Sequence, residues 1–220
     1  MNMKQITVFG ASGMVGKAMV HTALAHRYQV VAFGRSLDDL VLFQEGFPQQ
    51  LQLVKGSVFE LSDVSKALKG SSIVLSALGG GTTGADKTRS LGMKTIVAAM
   101  QKAAVERILA LGGLGVLPHA EYGRWVDDPS YPEEYKAVGH EHLKAFEHLA
   151  NSPLQYSFIC SPNIAAETAV APYSVAYNTA PVPNSFVINT GSLADYCIQN
   201  VSNEESFRQL VGICNQTTTV

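Results

Sequence analysis

The sequence predicts an α/β fold: a doubly wound, mostly parallel sheet flanked by helices, formed by residues 1–220 as one domain. Three observations predict it. Strand-like and helix-like segments alternate from the N-terminus as far as Cys160. The apolar run Ile6-Thr7-Val8-Phe9 leads directly into three glycines at a spacing of three, Gly10, Gly13 and Gly16. Finally, 220 residues with 46% hydrophobic and 15% charged side chains can fill the core of one medium domain. A chain of that length buries roughly 70–75% of its extended surface, so stability requires neither disulfides nor metals.

Taken in order, Ile6–Phe9 reads as the first strand. From Met14, the residues Val15, Ala18, Met19, Thr22 and Ala23 share one helical face. Tyr28-Gln29-Val30-Val31-Ala32-Phe33 is the second strand, which closes a βαβ unit of about 30 residues. Leu51-Gln52-Leu53-Val54, Ser72-Ile73-Val74-Leu75-Ser76 and Arg107-Ile108-Leu109-Ala110-Leu111 are the third, fourth and fifth strands. Helices are expected over 61–68 and 88–104, with Ser62 or Asp63 as an N-cap and Gly70 as a stop. A long helix over 134–151 precedes the sixth strand, 155–160. The chain closes with a strand at 186–188, a helix over 192–200 capped by Ser192, and a strand over 207–213.

Two stretches interrupt this rhythm. Residues 114–133 carry Tyr122, Trp125, Asp127, Asp128, Pro129, Tyr131 and Pro132, and residues 165–184 carry Pro172, Tyr173, Tyr177, Pro181 and Pro183. Both follow strands, and ligands of open α/β sheets bind beyond the carboxyl ends of strands. They are expected to form a small cap over a small-molecule substrate; the alternative is a subunit or partner interface.

The glycine turn suits the pyrophosphate of a dinucleotide. Its first glycine allows a sharp turn, the second lets backbone approach the phosphates, and the third lets helix pack on strand. The helix N-terminus then offers unpaired N–H groups and a positive dipole end. After the second strand stands Gly34-Arg35-Ser36, where NAD-binding chains need a carboxylate for the ribose. Arg35 can instead pair with a 2′-phosphate and Ser36 can donate to it. A charge-assisted bond of roughly 1.5–3 kcal/mol would favour NADP over NAD. The alternative is that Arg35 is a solvated loop residue.

The net charge of −2 and the lack of a basic stripe argue against nucleic acid as a partner. Three scattered cysteines, Cys160, Cys197 and Cys214, point to reduced thiols in a cytoplasmic protein. Met1-Asn2-Met3-Lys4-Gln5 runs straight into the first strand, with no room for a signal peptide. No apolar run approaches about 18 residues, so no membrane span is expected.

Together with Ser76-Ala77-Leu78-Gly79 and Ser161-Pro162-Asn163-Ile164, these motifs make the chain resemble the atypical short-chain dehydrogenase/reductases. The resemblance covers nearly the whole chain and is nearest to the NmrA-like NAD(P)H-binding proteins and the flavin reductase/biliverdin reductase B type. It implies a Rossmann-type fold in which Gly10, Ser12, Gly13, Met14, Val15 and Gly16 surround the pyrophosphate. Arg35 and Ser36 would hold the 2′-phosphate, and Gly56, Ser57 and Val58 would flank the adenine, with Ser57 where relatives often have aspartate. Ala77, Leu78 and Gly79 would pass beneath ribose and phosphates. Leu111, Gly112 and Gly113, with Pro162, Asn163 and Ile164, would lie beside the nicotinamide; Ser161 replaces an arginine common in relatives.

The chain departs from the family in its chemistry. No tyrosine has a lysine four residues later, so the usual Tyr-x-x-x-Lys proton donor is missing; Tyr135 is followed there by Gly139. The substitute is His140-Glu141-His142-Leu143-Lys144, where His140 and Lys144 share a helical face and His140 could donate a proton. The alternative is that His140, His142 and His148 are solvated helix residues. Hydride transfer to an electron-poor ring needs less acid catalysis, because the proton can come from water. The expected activity is therefore NADP-dependent reduction of a flavin, quinone or carbonyl-type molecule. Two other readings are a catalytically silent NADP-binding sensor and an epimerase/dehydratase-like enzyme. The oligomeric state is expected to be monomer or homodimer.

Other chemistries lack their motifs. Gly10-Ala11-Ser12-Gly13-Met14 is not a Gly-x-Ser-x-Gly nucleophile elbow. His140-Glu141-His142 is not His-Glu-x-x-His, so no metal site is expected. Gly79-Gly80-Gly81-Thr82-Thr83-Gly84 lacks the Lys-Ser ending of a P-loop and is expected to be a lid over the cofactor.

Overall fold

The computed structural model describes residues 3–81 and 83–217; Met1 and Asn2 of the N-terminal segment and Thr82 of the expected lid lie outside the described residues. The chain runs β1 (Gln5–Phe9), α1 (Met14–Ala25), β2 (Gln29–Gly34), α2 (Asp38–Gly46), β3 (Leu51–Lys55), α3 (Leu61–Ala67), β4 (Ile73–Ser76) and α4 (Thr88–Ala103). It continues through β5 (Arg107–Gly113), a small hairpin of β6 (Pro118–His119) and β7 (Gly123–Arg124), α5 (Glu133–Ala150) and β8 (Gln155–Ser161). It ends with β9 (Asn163–Ala165), β10 (Tyr173–Tyr177), β11 (Val187–Asn189), α6 (Thr190–Gln199) and β12 (Gln209–Asn215).

The central sheet has eight strands in the order β10-β12-β8-β5-β4-β1-β2-β3. All of its pairs are parallel except β10 with β12. From β1 the chain moves outward through β2 and β3, then returns to β4 on β1's other side. The strand order therefore reverses between β1 and β4, and such a switch point opens a ligand crevice beyond the carboxyl ends of the strands.

Burial on both faces explains the apolar strands. On β1, Ile6 and Val8 pack with Met19 and Ala23 of α1 and with Leu193 and Tyr196 of α6. Phe9 points to the opposite layer, where α3, α4 and α5 contribute Val64, Met93, Ile96 and Leu149. The period of two along the strand thus distributes one segment between two cores.

Several local expectations differ from the structure. Helix α2 falls where the sequence predicts no element. The N-cap of α3 is Glu60, and Ser62 and Asp63 lie within its first turn; the Asp63 carboxylate accepts from the Ser57 N–H at 3.0 Å. The N-cap of α6 is Asn189, because the Ser192 hydroxyl is engaged by the Ala171 backbone, accepting from its N–H and donating to its carbonyl at 3.0 Å each. The stretch 165–184 is not simply a cap over a substrate. Its Tyr173–Tyr177 segment is β10, an edge strand whose Tyr173 hydroxyl donates to Asp195 at 2.9 Å.

Candidate active site

At the turn after β1, Gly10 has φ +77°, and a Cβ on it would stand 2.5 Å from the Ala77 carbonyl oxygen after β4. Only a glycine with no side chain lets these two strand ends meet. Gly16 brings α1 onto the same turn, since a Cβ there would stand 2.0 Å from the Gly10 carbonyl oxygen. The N-cap of α1 is Gly13, no side chain caps it, and the first turn holds no acidic residue. The helix therefore presents free N–H groups to the crevice, an arrangement that suits an anion.

A cavity of about 620 Å³ opens from this point. Gly10, Ser12, Gly13, Met14 and Val15 form its floor at α1. Arg35, with Gly56, Ser57 and Val58, lines one end, while Ala77, Leu78 and Gly79 cross the middle. Leu111, Gly112, Gly113, Pro162, Asn163 and Ile164 line the other end. Two residues expected at the cofactor do not line it. Gly16 acts behind the wall through its contact with Gly10, and the Ser36 hydroxyl donates to Asp38 at 2.8 Å.

The cavity fits a dinucleotide. Among the described residues, Gly79 has nothing within 4 Å of the position of a Cβ. The uncapped start of α1 lies midway between the Arg35 end and the Asn163 end, where a pyrophosphate would sit between its two nucleosides.

The structure brings further residues to this cavity that sequence reasoning missed: Phe59, Thr88, Arg89, Tyr135, Val138 and His142. Arg89 donates to the carbonyls of Gly80 and Gly81 at 3.1 and 3.0 Å, while its Nε is buried without a partner among the described residues. Asp86 accepts from the N–H groups of Gly81 and Thr88 at 3.0 and 2.8 Å, and the Thr88 side chain together with these two N–H groups lowers its carboxyl to about 2. The glycine segment after β4 is thereby pinned to the start of α4 from both ends.

His140 and Lys144 do not line the cavity. His140 is exposed on α5, and Lys144 turns to Glu141 at 3.3 Å. The inward-facing ring is His142, which lies against Gly113, with Nδ1 buried and unpartnered. Burial, reinforced by the positive charge of Arg89 and only partly opposed by Glu141, lowers its pKa to about 3. His142 is therefore a neutral imidazole at physiological pH. Beside it, Glu141 is buried and accepts from Ser90 Oγ at 2.6 Å and Lys87 Nζ at 2.9 Å, which ties α5 to α4.

A second cavity of about 400 Å³ shares Gly113, Tyr135, Val138, His142, Ser161, Pro162 and Asn163 with the first. Its remaining wall includes the aromatic rings of Trp125, Tyr131 and Phe186 and comes chiefly from the 114–133 stretch. No residue of 165–184 lines it. Ser161, at the junction, donates to the Gly112 carbonyl at 3.0 Å. Among the described residues, no group of three or more His, Cys, Asp or Glu could hold a metal ion. No described helix is long and apolar enough to cross a membrane.

Comparison with known proteins agrees with this geometry. A family described as NAD(P)H-binding matches residues 10–204. Among solved structures, the oxidoreductase ylbE from Lactococcus lactis superposes with a TM-score of 0.78 at 20% identity, over 98% of this chain and 92% of its own. ChuY, an anaerobillin reductase from Escherichia coli O157:H7, gives 0.77 at 19% identity over 99% and 100%. A short-chain dehydrogenase/reductase from Veillonella parvula, solved in complex with NADP, gives 0.75 at 17% identity over 99% and 97%. At these identities the solved structures establish the Rossmann-type α/β fold.

Proposed function

The chain belongs to the NAD(P)H-binding family, and on that premise we propose that it is an NADPH-dependent reductase acting on a flat small molecule such as a flavin, quinone or conjugated carbonyl compound. The observation that carries this reading is the junction of the two cavities. A dinucleotide-shaped crevice and an aromatic chamber share the wall built by Gly113, His142, Ser161 and Asn163.

Bound in the larger cavity, the nicotinamide supplies the hydride. The chain supplies position. The free N–H groups of α1 hold the pyrophosphate, and the Gly10–Ala77 contact keeps β1 and β4 close enough to support it. Trp125, Tyr131 and Phe186 present aromatic surfaces that stack a planar acceptor and displace water. Holding donor and acceptor within roughly 3–3.5 Å is the main catalytic requirement of such a transfer. His142, neutral and lining both cavities, orients the acceptor by a hydrogen bond without carrying charge. The proton that follows the hydride comes from water. The oxidoreductase and anaerobillin reductase that share the fold support this class of reaction.

Arg35 at the cavity's rim favours NADP through the 2′-phosphate, and the Veillonella structure shows that this fold accommodates NADP. The three cysteines are free and buried, in keeping with a cytoplasmic protein.

A second reading, a catalytically silent NADP-binding sensor, draws on the lack of a Tyr-x-x-x-Lys pair in the sequence. Burial raises the pKa of Tyr131 while that of His142 is lowered. Steady-state oxidation of NADPH against riboflavin, quinones and dicarbonyls separates the two. The reductase reading requires turnover above the buffer rate with at least one class; tight NADPH binding without any turnover leaves the sensor.

A further inference from the structure

We propose that Asp128 makes the aromatic cavity selective for planar acceptors without negative charge, so that anionic flavins, bilins and ring sulfonates are disfavoured. The inference rests on the reductase reading for the identity of the cavity's occupant, and it adds which acceptors are admitted.

The charge inventory of the chamber is one-sided. Trp125, Tyr131, Pro132, Tyr135, Pro162 and Phe186 give its wall flat apolar surfaces, and Asp128 is the one carboxylate among its described residues. No lysine or arginine lines it among those residues. Asp128 is fixed in place: its Oδ1 accepts from the Ser130 N–H at 2.7 Å, and that bond keeps its carboxyl below the usual carboxylate range. His119 Nε2 lies 3.5 Å from Oδ2 but does not line the chamber.

Arg124, next to Trp125, donates to the Val116 carbonyl at 2.7 Å and lines neither cavity. His142 is neutral, and Arg89 lines the dinucleotide cavity only, with its guanidinium given to the Gly80 and Gly81 carbonyls. An acceptor bearing a carboxylate, phosphate or sulfonate would therefore enter an apolar chamber that offers it a fixed negative charge and no counter-ion. Desolvation and like-charge repulsion both act against it. A neutral quinone or isoalloxazine ring meets neither penalty and keeps the stacking.

Trp125 is the single tryptophan of the chain and stands in this wall, so its fluorescence reports occupancy directly. The test titrates the NADP⁺-loaded protein, at a pH above the ordinary histidine range, with a neutral naphthoquinone and with its ring sulfonate. The sulfonate places its charge on the ring itself, with no flexible tail to hold it away from Asp128. The expected result is saturable quenching by the neutral compound and binding of the sulfonate weaker by roughly tenfold or more, a gap of the size expected from one partly screened charge pair. In Asp128→Asn the gap narrows while affinity for the neutral compound is retained. Equal affinity of wild type for both compounds overturns the inference, as does a gap unchanged in Asp128→Asn or failure of the neutral compound to bind. None of these readouts requires turnover. If the neutral compound binds selectively but NADPH is never oxidised, the charge selectivity stands and the reductase reading fails.

Discussion

Gly10 and Ala77 meet backbone to backbone: a methyl group on Gly10 would stand 2.5 Å from the Ala77 carbonyl oxygen, at a residue whose φ is already +77°. This contact joins the ends of β1 and β4 beneath the candidate pyrophosphate site. Gly10→Ala therefore carries a backbone cost of about 1–3 kcal/mol before any clash, and for a chain of this size the melting temperature falls by roughly 3–10 °C. NADPH affinity falls with it. Gly79→Ala is the contrasting case, with nothing among the described residues within 4 Å of the added methyl. Its melting temperature is unchanged, while calorimetry detects weaker NADPH binding because the methyl narrows the cavity.

Glu141 is expected to govern stability at acid pH. Burial acts to raise its pKa, but hydrogen bonds from Ser90, Lys87 and Lys144 outweigh that effect and leave it below 4.5. A carboxyl depressed in the folded state adds stability that is fully present above its unfolded pKa and is lost as pH falls through the folded value. Thermal melts from pH 7 down to about pH 3 should show this acid limb, beginning near the ordinary glutamate value of about 4.3. Glu141→Gln should flatten the limb and cost on the order of 1–3 kcal/mol at neutral pH, because Lys87 and Lys144 lose a charged partner.

His142 has a proton linkage of the same sign as Glu141, acting in a higher pH window. The folded chain holds it neutral down to about pH 3, whereas the unfolded chain protonates it below about 6.5. The unfolded state therefore binds more protons between these values, and stability declines as pH falls below 6.5. His142→Phe removes this component of the slope. In the reductase assay, the wild type should show no histidine-like limb between about pH 6 and pH 8 attributable to this ring. His142→Phe should lower kcat/KM by about tenfold, the loss of one hydrogen bond. The exposed His140 should tolerate alanine with kcat/KM unchanged.

Arg35 is expected to discriminate between the two nicotinamide dinucleotides. Arg35→Ala should weaken NADPH by roughly tenfold or more, the value of one charge-assisted bond, and leave NADH nearly unaffected. Equal losses for both cofactors in fluorescence titrations would show that Arg35 does not contact the 2′-phosphate.

The parts of the molecule legible in its sequence are those set by local constraints. Gly10 needs a positive φ and Gly16 needs a close approach, so the turn and its crevice could be read from residue type and spacing alone. The parallel strands were legible because burial on both faces makes each a short apolar run. Long-range packing decided the rest. Along α5, spacing put His140 and Lys144 on one face, but the contacts of Glu141 with α4 turn His142 inward instead. Ser192 has a capping side chain, yet the Ala171 backbone claims it and Asn189 becomes the N-cap. Tyr173–Tyr177 has the alternation of an edge strand, but its partner β12 lies more than thirty residues onward (Tyr173 opposite Asn215) and the surrounding prolines suggested a loop. Arg89 carried no motif; only the fold shows it gripping the glycine segment.

The central claim is that hydride crosses the junction between the two cavities. Its most direct measurement is a single-turnover experiment in which the protein, loaded with NADPH or with NADPH deuterated at the transferring carbon, is mixed with a neutral naphthoquinone. The account predicts cofactor oxidation far above the buffer rate, slowed severalfold by deuterium, and accompanied by quenching of Trp125. Tight NADPH binding with Trp125 quenched by the quinone, but with oxidation at the buffer rate, would contradict it.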